Sequence, residues 1–403
     1  MRMKNTIKDL TLFGGRPTFE EVLHVGKPAV VNRNMLFERI DGILDRGWLT
    51  NNGPEVQAFE KKISEITGVK NCIAVCNATV GLEIAIRALG MRGEVILPSF
   101  TFVATAHSLQ WQEITPVFCD IDPKTHTIDP KKILSLITPK TSGILATHVW
   151  GRPCQIDALT KIAKEHNLKL LFDAAHAFSN TFNGVPIGNF GDAEVFSFHA
   201  TKFINTFEGG VIATNDDDLA ERIRLMKNFG FKGLDNVIYL GTNGKMNEVS
   251  AAMGLVSLSS IDQLISHNKT NYKKYSDCLN GLPGISVASY NESDRNNYQY
   301  IVLEVEERLS GLSRDRLIDI LHAENIRCRR YFYPGCHNME PYRSYYPNAN
   351  LLLRETEKLC SEVLLLPSGQ AVDVEMIETI SGIIKFCVEN SEEINKSFKH
   401  QEI

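Results

Sequence analysis

The strongest constraint on the fold is a sustained exchange of strand-like and helix-like runs between about residues 54 and 215. "PEVQAFEKKISEIT" opens with a proline and carries apolar residues at helical spacing. "NCIAVC" is strand-like, and "VGLEIAIRALG" is a helix closed by glycine. Strand-like "EVILPS" and "EITPVFCDID", helical "PKKILSLI", strand-like "SGILATHVWG" and helical "IDALTKIAKEHN" continue the series. "LKLLFDAAHA", "AEVFSFHA" and "GGVIATND" complete it as strands. Strands with helices between them predict an α/β domain whose mixed sheet is mostly parallel, flanked by helices and buried on both faces.

The character changes near residue 247. "NEVSAAMGLVSLSSIDQLISHNKTNYKKYSDCL" predicts one long helix. Beyond "NGLPG" come strand-like "YQYIVLEVE", helical "RDRLIDILHAEN", strand-like "IRCRRYF" and a last helix in "DVEMIETISGIIKFCVEN", the outline of a smaller α+β domain. The expected division is an N-terminal segment at 1–49 packing near the functional site, a large α/β domain at 50–262 and a small α+β C-terminal domain at 263–403. A formal net charge of -5 and the lack of a long basic stripe argue against nucleic acid as a partner. No apolar run is long enough to cross a bilayer, and "MRMKNTIKDLTLFGG" lacks the apolar segment of a signal peptide. The expected location is therefore cytoplasmic, without membrane contact. The nine cysteines stand singly, with no Cys-x-x-Cys pair, so no metal site is expected and the thiols are expected to be reduced and mostly buried.

The chemistry concentrates in a few strand ends. "FSFHATKFINTFEGG" (196–210) puts Lys202 just past one of them, before Gly209 and Gly210. Taken alone, Lys202 fits a surface lysine. An amine partly desolvated there would also lose its proton more easily and could form a Schiff base with a carbonyl. "LKLLFDAAHAFSN" (168–180) ends a strand in Asp173, at the sheet edge where α/β proteins bind ligands, although such an aspartate also caps helices. A lysine and an acid on neighbouring strand ends are the two protein groups that pyridoxal phosphate needs, one for its aldehyde and one to keep its ring nitrogen protonated. In "CNATVGLEIA" (76–85) a turn opens a helix, and its free N–H groups with the Thr79 hydroxyl suit a phosphate, to which Ser197 adds a second hydroxyl. "LPSFTFVATA" (97–106) sets Phe100 and Phe102 after a strand, either as core or as a stacking surface for a planar ring.

In order and spacing, Asp-Ala-Ala-His (173–176) and Ser-Phe-His-Ala-Thr-Lys…Glu-Gly-Gly (197–210) resemble the DegT/StrS-type sugar aminotransferases, within the fold type I (aspartate aminotransferase) superfamily of pyridoxal-phosphate enzymes. The resemblance runs from "GWLTNNGPEVQAFE" to "YFYPGCHNMEPY". It implies that Lys202 holds the cofactor as a Schiff base and then moves the proton between substrate and cofactor, while Asp173 pairs with the pyridine nitrogen. It further implies that His176 contacts the phenolic oxygen, that Phe102 stacks on the ring, and that Thr79, the amide of Val80 and Ser197 hold the phosphate. Asn243 matches an asparagine that reaches the phosphate from the partner subunit, which implies a homodimer with shared active sites.

The implied substrates are L-glutamate and a nucleotide-linked keto-sugar. The wording of "FHATKFINTFEGG" and "YFYPGCHNMEPY" is most similar to members that aminate C4 of dTDP-4-keto-6-deoxyglucose to give dTDP-4-amino-4,6-dideoxyglucose, often toward O-antigen. Trp48, Thr50, Asn51, Tyr331 and His337 are candidates to line the sugar pocket, or are ordinary loop and core residues. The chain departs from the family pattern at Ala78-Thr79-Val80-Gly81-Leu82, usually Gly-Thr before a small residue and Ala-Leu. It departs again at Asn243-Gly244-Lys245-Met246, usually Asn-aromatic-Arg-Met. C3-specific amino transfer, a sugar dehydratase and a non-catalytic regulatory homologue are the alternatives. Dehydratase relatives carry histidine where Lys202 stands, and no basic helix-turn-helix-like segment marks a regulator.

Overall fold

The computed structural model describes residues 4–30 and 32–401. Its centre is a seven-stranded sheet of β1 (Asn71–Val75), β2 (Glu94–Pro98), β3 (Thr115–Cys119), β4 (Thr141–Thr147), β5 (Lys169–Asp173), β6 (Ala193–Ser197) and β7 (Gly210–Thr214). The spatial order is β1-β7-β6-β5-β4-β2-β3. All strands run parallel except β7, which is antiparallel to both neighbours. The expected mostly parallel, mixed sheet is therefore present. Because β7 runs the other way, its first residue reaches the edge at which the parallel strands end: Gly210 is opposite both Val75 and Ser197.

Alternate residues feed two cores, as a doubly covered sheet requires. On β5, Leu170 and Phe172 join Phe59, Ile63, Phe196 and Phe198 on one face. Leu171 joins Leu82, Leu97, Val195 and Ile212 on the other. A second sheet is wholly antiparallel, in the order β8 (Ile285–Val287), β9 (Ile301–Val305), β10 (Val363–Leu366). Ile301, Leu303, Leu364 and Leu366 on one of its faces pack with Tyr275, Ile380 and Ile384. Val302, Val363 and Leu365 on the other meet Phe100, Trp150 and Phe332, so a shared apolar layer binds the two sheets together. Ile7, Leu10, Phe19 and Leu23 of the N-terminal segment belong to the core under the small sheet, and Leu23 pairs in parallel with Ile326. The chain then passes Lys202, where Val25, Gly26, Lys27 and Ala29 line a small cavity beside it.

The long helix expected after residue 247 is two helices, α1 (Glu248–Leu258) and α2 (Ile261–Leu279), bent by 62°. The break falls at Ser259 and Ser260. The Ser259 hydroxyl bonds back to the Val256 carbonyl at 2.7 Å, and serine pairs of this kind are recurrent bend sites. The bend lets the buried face of α1 serve the large sheet while Tyr272, Tyr275 and Leu279 of α2 serve the small one. Among the described residues no single helix is long and apolar enough to cross a membrane.

Glu248, the first residue of α1, is fully buried and caps another helix. Its carboxylate accepts from the amides of Glu55 (2.8 Å) and Val56 (3.0 Å), at the start of the helix Pro54–Thr67. An anion there satisfies orphan amides and opposes the helix dipole. Glu248→Ala strands both amides in the interior, and denaturant unfolding should show a loss of about 2–3 kcal/mol; a loss under about 0.5 kcal/mol would contradict this assignment.

Candidate active site

The carboxyl edge of the large sheet carries a cleft of about 390 Å³. Thr79, Phe102, Asp173, His176, Ser197, Lys202 and Tyr331 all line it. Each arrives for a local reason. Asp173 and Ser197 are the last residues of β5 and β6. Thr79 lies in the first turn of the helix Ala78–Ala88, which follows β1. Phe102 is the extended residue before the helix Val103–Gln110, and 55% of its surface stays open.

Asp173 is buried, with 6% exposure, and makes no ion pair within 4.0 Å among the described residues. Burial pushes its carboxyl above the usual carboxylate range, against the opposing pull of the Thr105 hydroxyl (2.7 Å), the Ala175 amide (3.1 Å) and the charge on Lys202. Burial also pulls the Lys202 ammonium down to about 8, while the nearby charge of Asp173 works to raise it. The Lys202 amine donates to the Tyr300 hydroxyl at 2.9 Å. His176 is driven well below its ordinary range by burial, with the Lys202 charge acting the same way, so it is a neutral imidazole. Its Nδ1 accepts from the Trp150 amide (3.1 Å), which leaves the proton on Nε2, and its ring lies parallel to Phe332 at 5.8 Å.

At the other end of the cleft the helix Ala78–Ala88 presents its N-terminus. Gly210 runs against it so closely that a Cβ there would lie 2.8 Å from the Ala78 nitrogen. The Val80 amide, expected to face a phosphate, instead donates to the Asn77 side chain, which caps the helix (2.9 Å). The amides of Ala78 and Thr79 are left as the open first turn.

Other expected residues lie elsewhere. His337 is buried, with its Nδ1 2.6 Å from the Ser99 hydroxyl and its Nε2 2.5 Å from Glu357, so it ties the loop after β2 to the helix Arg354–Glu362 and does not line the cleft. Phe100 is core, packed against Trp150 and Phe332. Trp48, Thr50, Asn51 and Asn243 are exposed and outside the cleft of their own chain. Trp48 donates to the Thr50 carbonyl (2.6 Å), and Asn51 lines a separate cavity with Arg224, Asn228 and Lys245. Thr105 and Tyr300 escaped the sequence reading. Thr105 was visible only as a polar residue in "LPSFTFVATA", and Tyr300 only as one residue of the strand-like run "YQYIVLEVE".

These groups suit a planar ring that carries an aldehyde for Lys202, a basic nitrogen for the uncompensated Asp173 and a phosphate for the helix start and Ser197. Acylation of Lys202, followed by mass spectrometry against pH, should show a midpoint near 8 rather than the ordinary 10.5. Asp173→Asn removes the charge that favours the ammonium, so this midpoint should fall; a rise would contradict the proposed balance. His337→Ala should lower the unfolding free energy by about 1–3 kcal/mol and leave the acylation midpoint of Lys202 unchanged.

Residues 32–385 match the model of the DegT/DnrJ/EryC1/StrS aminotransferase family. The chain is 37% identical over 366 residues to a dTDP-4-amino-4,6-dideoxy-D-glucose transaminase of Shigella dysenteriae, covering 91% of this chain and 99% of that one. It is 35% identical over 368 residues to an Escherichia coli protein of the same name, covering 91% and 98%. The crystal structure of DesI in the presence of its TDP-sugar product superposes with a TM-score of 0.93 at 45% identity, covering 98% of this chain and 100% of that one. The chain therefore belongs to the DegT/DnrJ/EryC1/StrS aminotransferase family.

Proposed function

We propose that the chain moves an amino group from L-glutamate to C4 of dTDP-4-keto-6-deoxyglucose, giving dTDP-4-amino-4,6-dideoxyglucose, with pyridoxal 5'-phosphate as cofactor. The observation that carries this reading is one cleft that brings Lys202 together with the buried carboxylate of Asp173, which has no ion-pair partner among the described residues. The names of the Shigella and Escherichia relatives and the sugar product present with DesI support the choice of sugar.

Bound pyridoxal phosphate supplies an aldehyde that carries the amino group and a ring that stores the electrons released at the substrate carbon. The protein does the rest. Asp173, desolvated and held by Thr105 and Ala175, offers a fixed negative charge to a protonated ring nitrogen. Phe102 offers its open face for stacking, and Nε2–H of neutral His176 is a donor for a phenolic oxygen. Thr79, Ser197 and the open helix start receive the phosphate. Lys202 Nζ would take the proton from the substrate carbon and deliver it to the carbon that had been the aldehyde, so that the proton is moved and not put back. Burial lowers the pKa of Lys202, which favours the free base that this role needs.

The exposed positions of Trp48, Thr50, Asn51 and Asn243 fit a homodimer in which one subunit completes the site of the other. Exposed apolar side chains in two stretches support this reading: Phe37, Leu44, Trp48 and Leu49, and Phe229, Leu234, Val237 and Leu240.

Purified protein loaded with pyridoxal phosphate should convert the keto-sugar to its C4 amine and release one 2-oxoglutarate per amine. Lys202→Ala should slow turnover at least about 10³-fold and remove the visible band of the loaded protein. An amine at C3 would overturn the regiochemistry, and turnover without consumption of glutamate would overturn the donor.

A further inference from the structure

The five residues before β9, "NNYQY" (296–300), belong to the chain of the small sheet, yet they hold both halves of the cleft floor. Asn297 is fully buried. Its side-chain amide donates to the carbonyls of His176 (2.9 Å) and Phe178 (3.1 Å), and its backbone amide donates to Asn180 (2.8 Å). This fixes the loop after Asp173. Gln299 donates from its side chain to the Thr201 carbonyl (3.1 Å), next to Lys202. Tyr300 accepts from the Lys202 amine (2.9 Å), and its ring rests 4.6 Å from that of His176. Its own backbone carbonyl is pinned by the Tyr290 hydroxyl (2.8 Å).

We propose that Tyr300 is the positioning residue for Lys202, and that the 296–300 segment sets the lysine and the Asp173 loop in one frame. The proposal rests on the aminotransferase reading for its role in turnover. The phenol is buried and keeps its proton far above neutral pH, so it cannot serve as the base itself. A neutral hydroxyl has one donor and two acceptor sites. When it accepts an N–H of the free amine, the nitrogen lone pair is left for the proton on the substrate carbon. Once the amine is protonated, the same oxygen still accepts. Among the described residues nothing takes the phenol's own proton, which leaves that donor free for the cleft. The other titratable or charged groups around this point are Asp173 and His176 on the sheet side, His199 and Glu208 at the rim, and Arg329 and Tyr331 from the small domain. None of them hydrogen-bonds the Lys202 amine.

Tyr300→Phe and Tyr300→Leu separate the hydroxyl from the ring. In the loaded enzyme, Tyr300→Phe should keep the visible band and the KM for the keto-sugar within about twofold, while kcat falls about tenfold, the size of one lost hydrogen bond in a proton-transfer step. In the protein without cofactor, the acylation midpoint of Lys202 should fall in Tyr300→Phe, because an acceptor of the ammonium is lost. If Tyr300→Phe matches wild type in midpoint and kcat while Tyr300→Leu is impaired, only ring packing matters and the proposal is overturned. If wild type shows no Lys202-dependent band, the aminotransferase reading fails, yet the midpoint still decides whether Tyr300 governs the amine.

Discussion

A carboxylate held in the interior without an ion pair is the constraint around which this structure is arranged. Asp173 costs the fold desolvation energy that two hydrogen bonds, from Thr105 and Ala175, only partly return. That imbalance is tolerable where a cation completes the site. The same burial keeps His176 neutral and lowers the pKa of Lys202, and the carboxylate opposes burial only at Lys202. The parallel strands matter because they bring β5 and β6 to a common edge, so that Asp173 and Ser197 face one space. The single antiparallel strand matters because it delivers Gly210, the one residue type that can pass against the Ala78 amide.

Much of this was legible in the residues, and what was not has a physical reason. Strand ends are local features, so Lys202, Asp173, Ser197 and Phe102 could be assigned to one edge from apolar runs and their terminators. Contacts between distant segments leave no such trace. Tyr300 meets Lys202 across 98 positions and Thr105 meets Asp173 across 68, and neither pairing has a periodicity to announce it. His337 shows the converse difficulty. A polar loop residue looks the same in sequence whether it faces a substrate or, as here, is buried between Ser99 and Glu357. The broken helix went unseen because a serine pair weakens a helix far less than glycine or proline would, and tertiary packing decided the matter.

The two sheets are less separate than the change of pattern near residue 247 suggests. Their cores meet in a layer that includes Phe100, Trp150, Val302 and Phe332. The cleft opens beside that layer, with Phe332 and Tyr331 on one wall and the large sheet's edge on the other. The chemistry therefore depends on groups from both bodies, held by an apolar seam rather than by either body alone.

The bend between α1 and α2 gives this seam a mechanical meaning. α2 has 19 residues, so it is a rod about 28 Å long. Tyr272, Tyr275 and Leu279 seat it in the small core. A rotation of about 5° at the serine pair carries its far end through about 2.5 Å, comparable to a hydrogen-bond length. The fulcrum lies where α1 is locked into the large sheet's core, so the angle there fixes where the far end of α2 stands relative to the large sheet. Geometry at the cleft is thus leveraged from a distance, and Ser259 and Ser260 set the angle at which the two bodies rest.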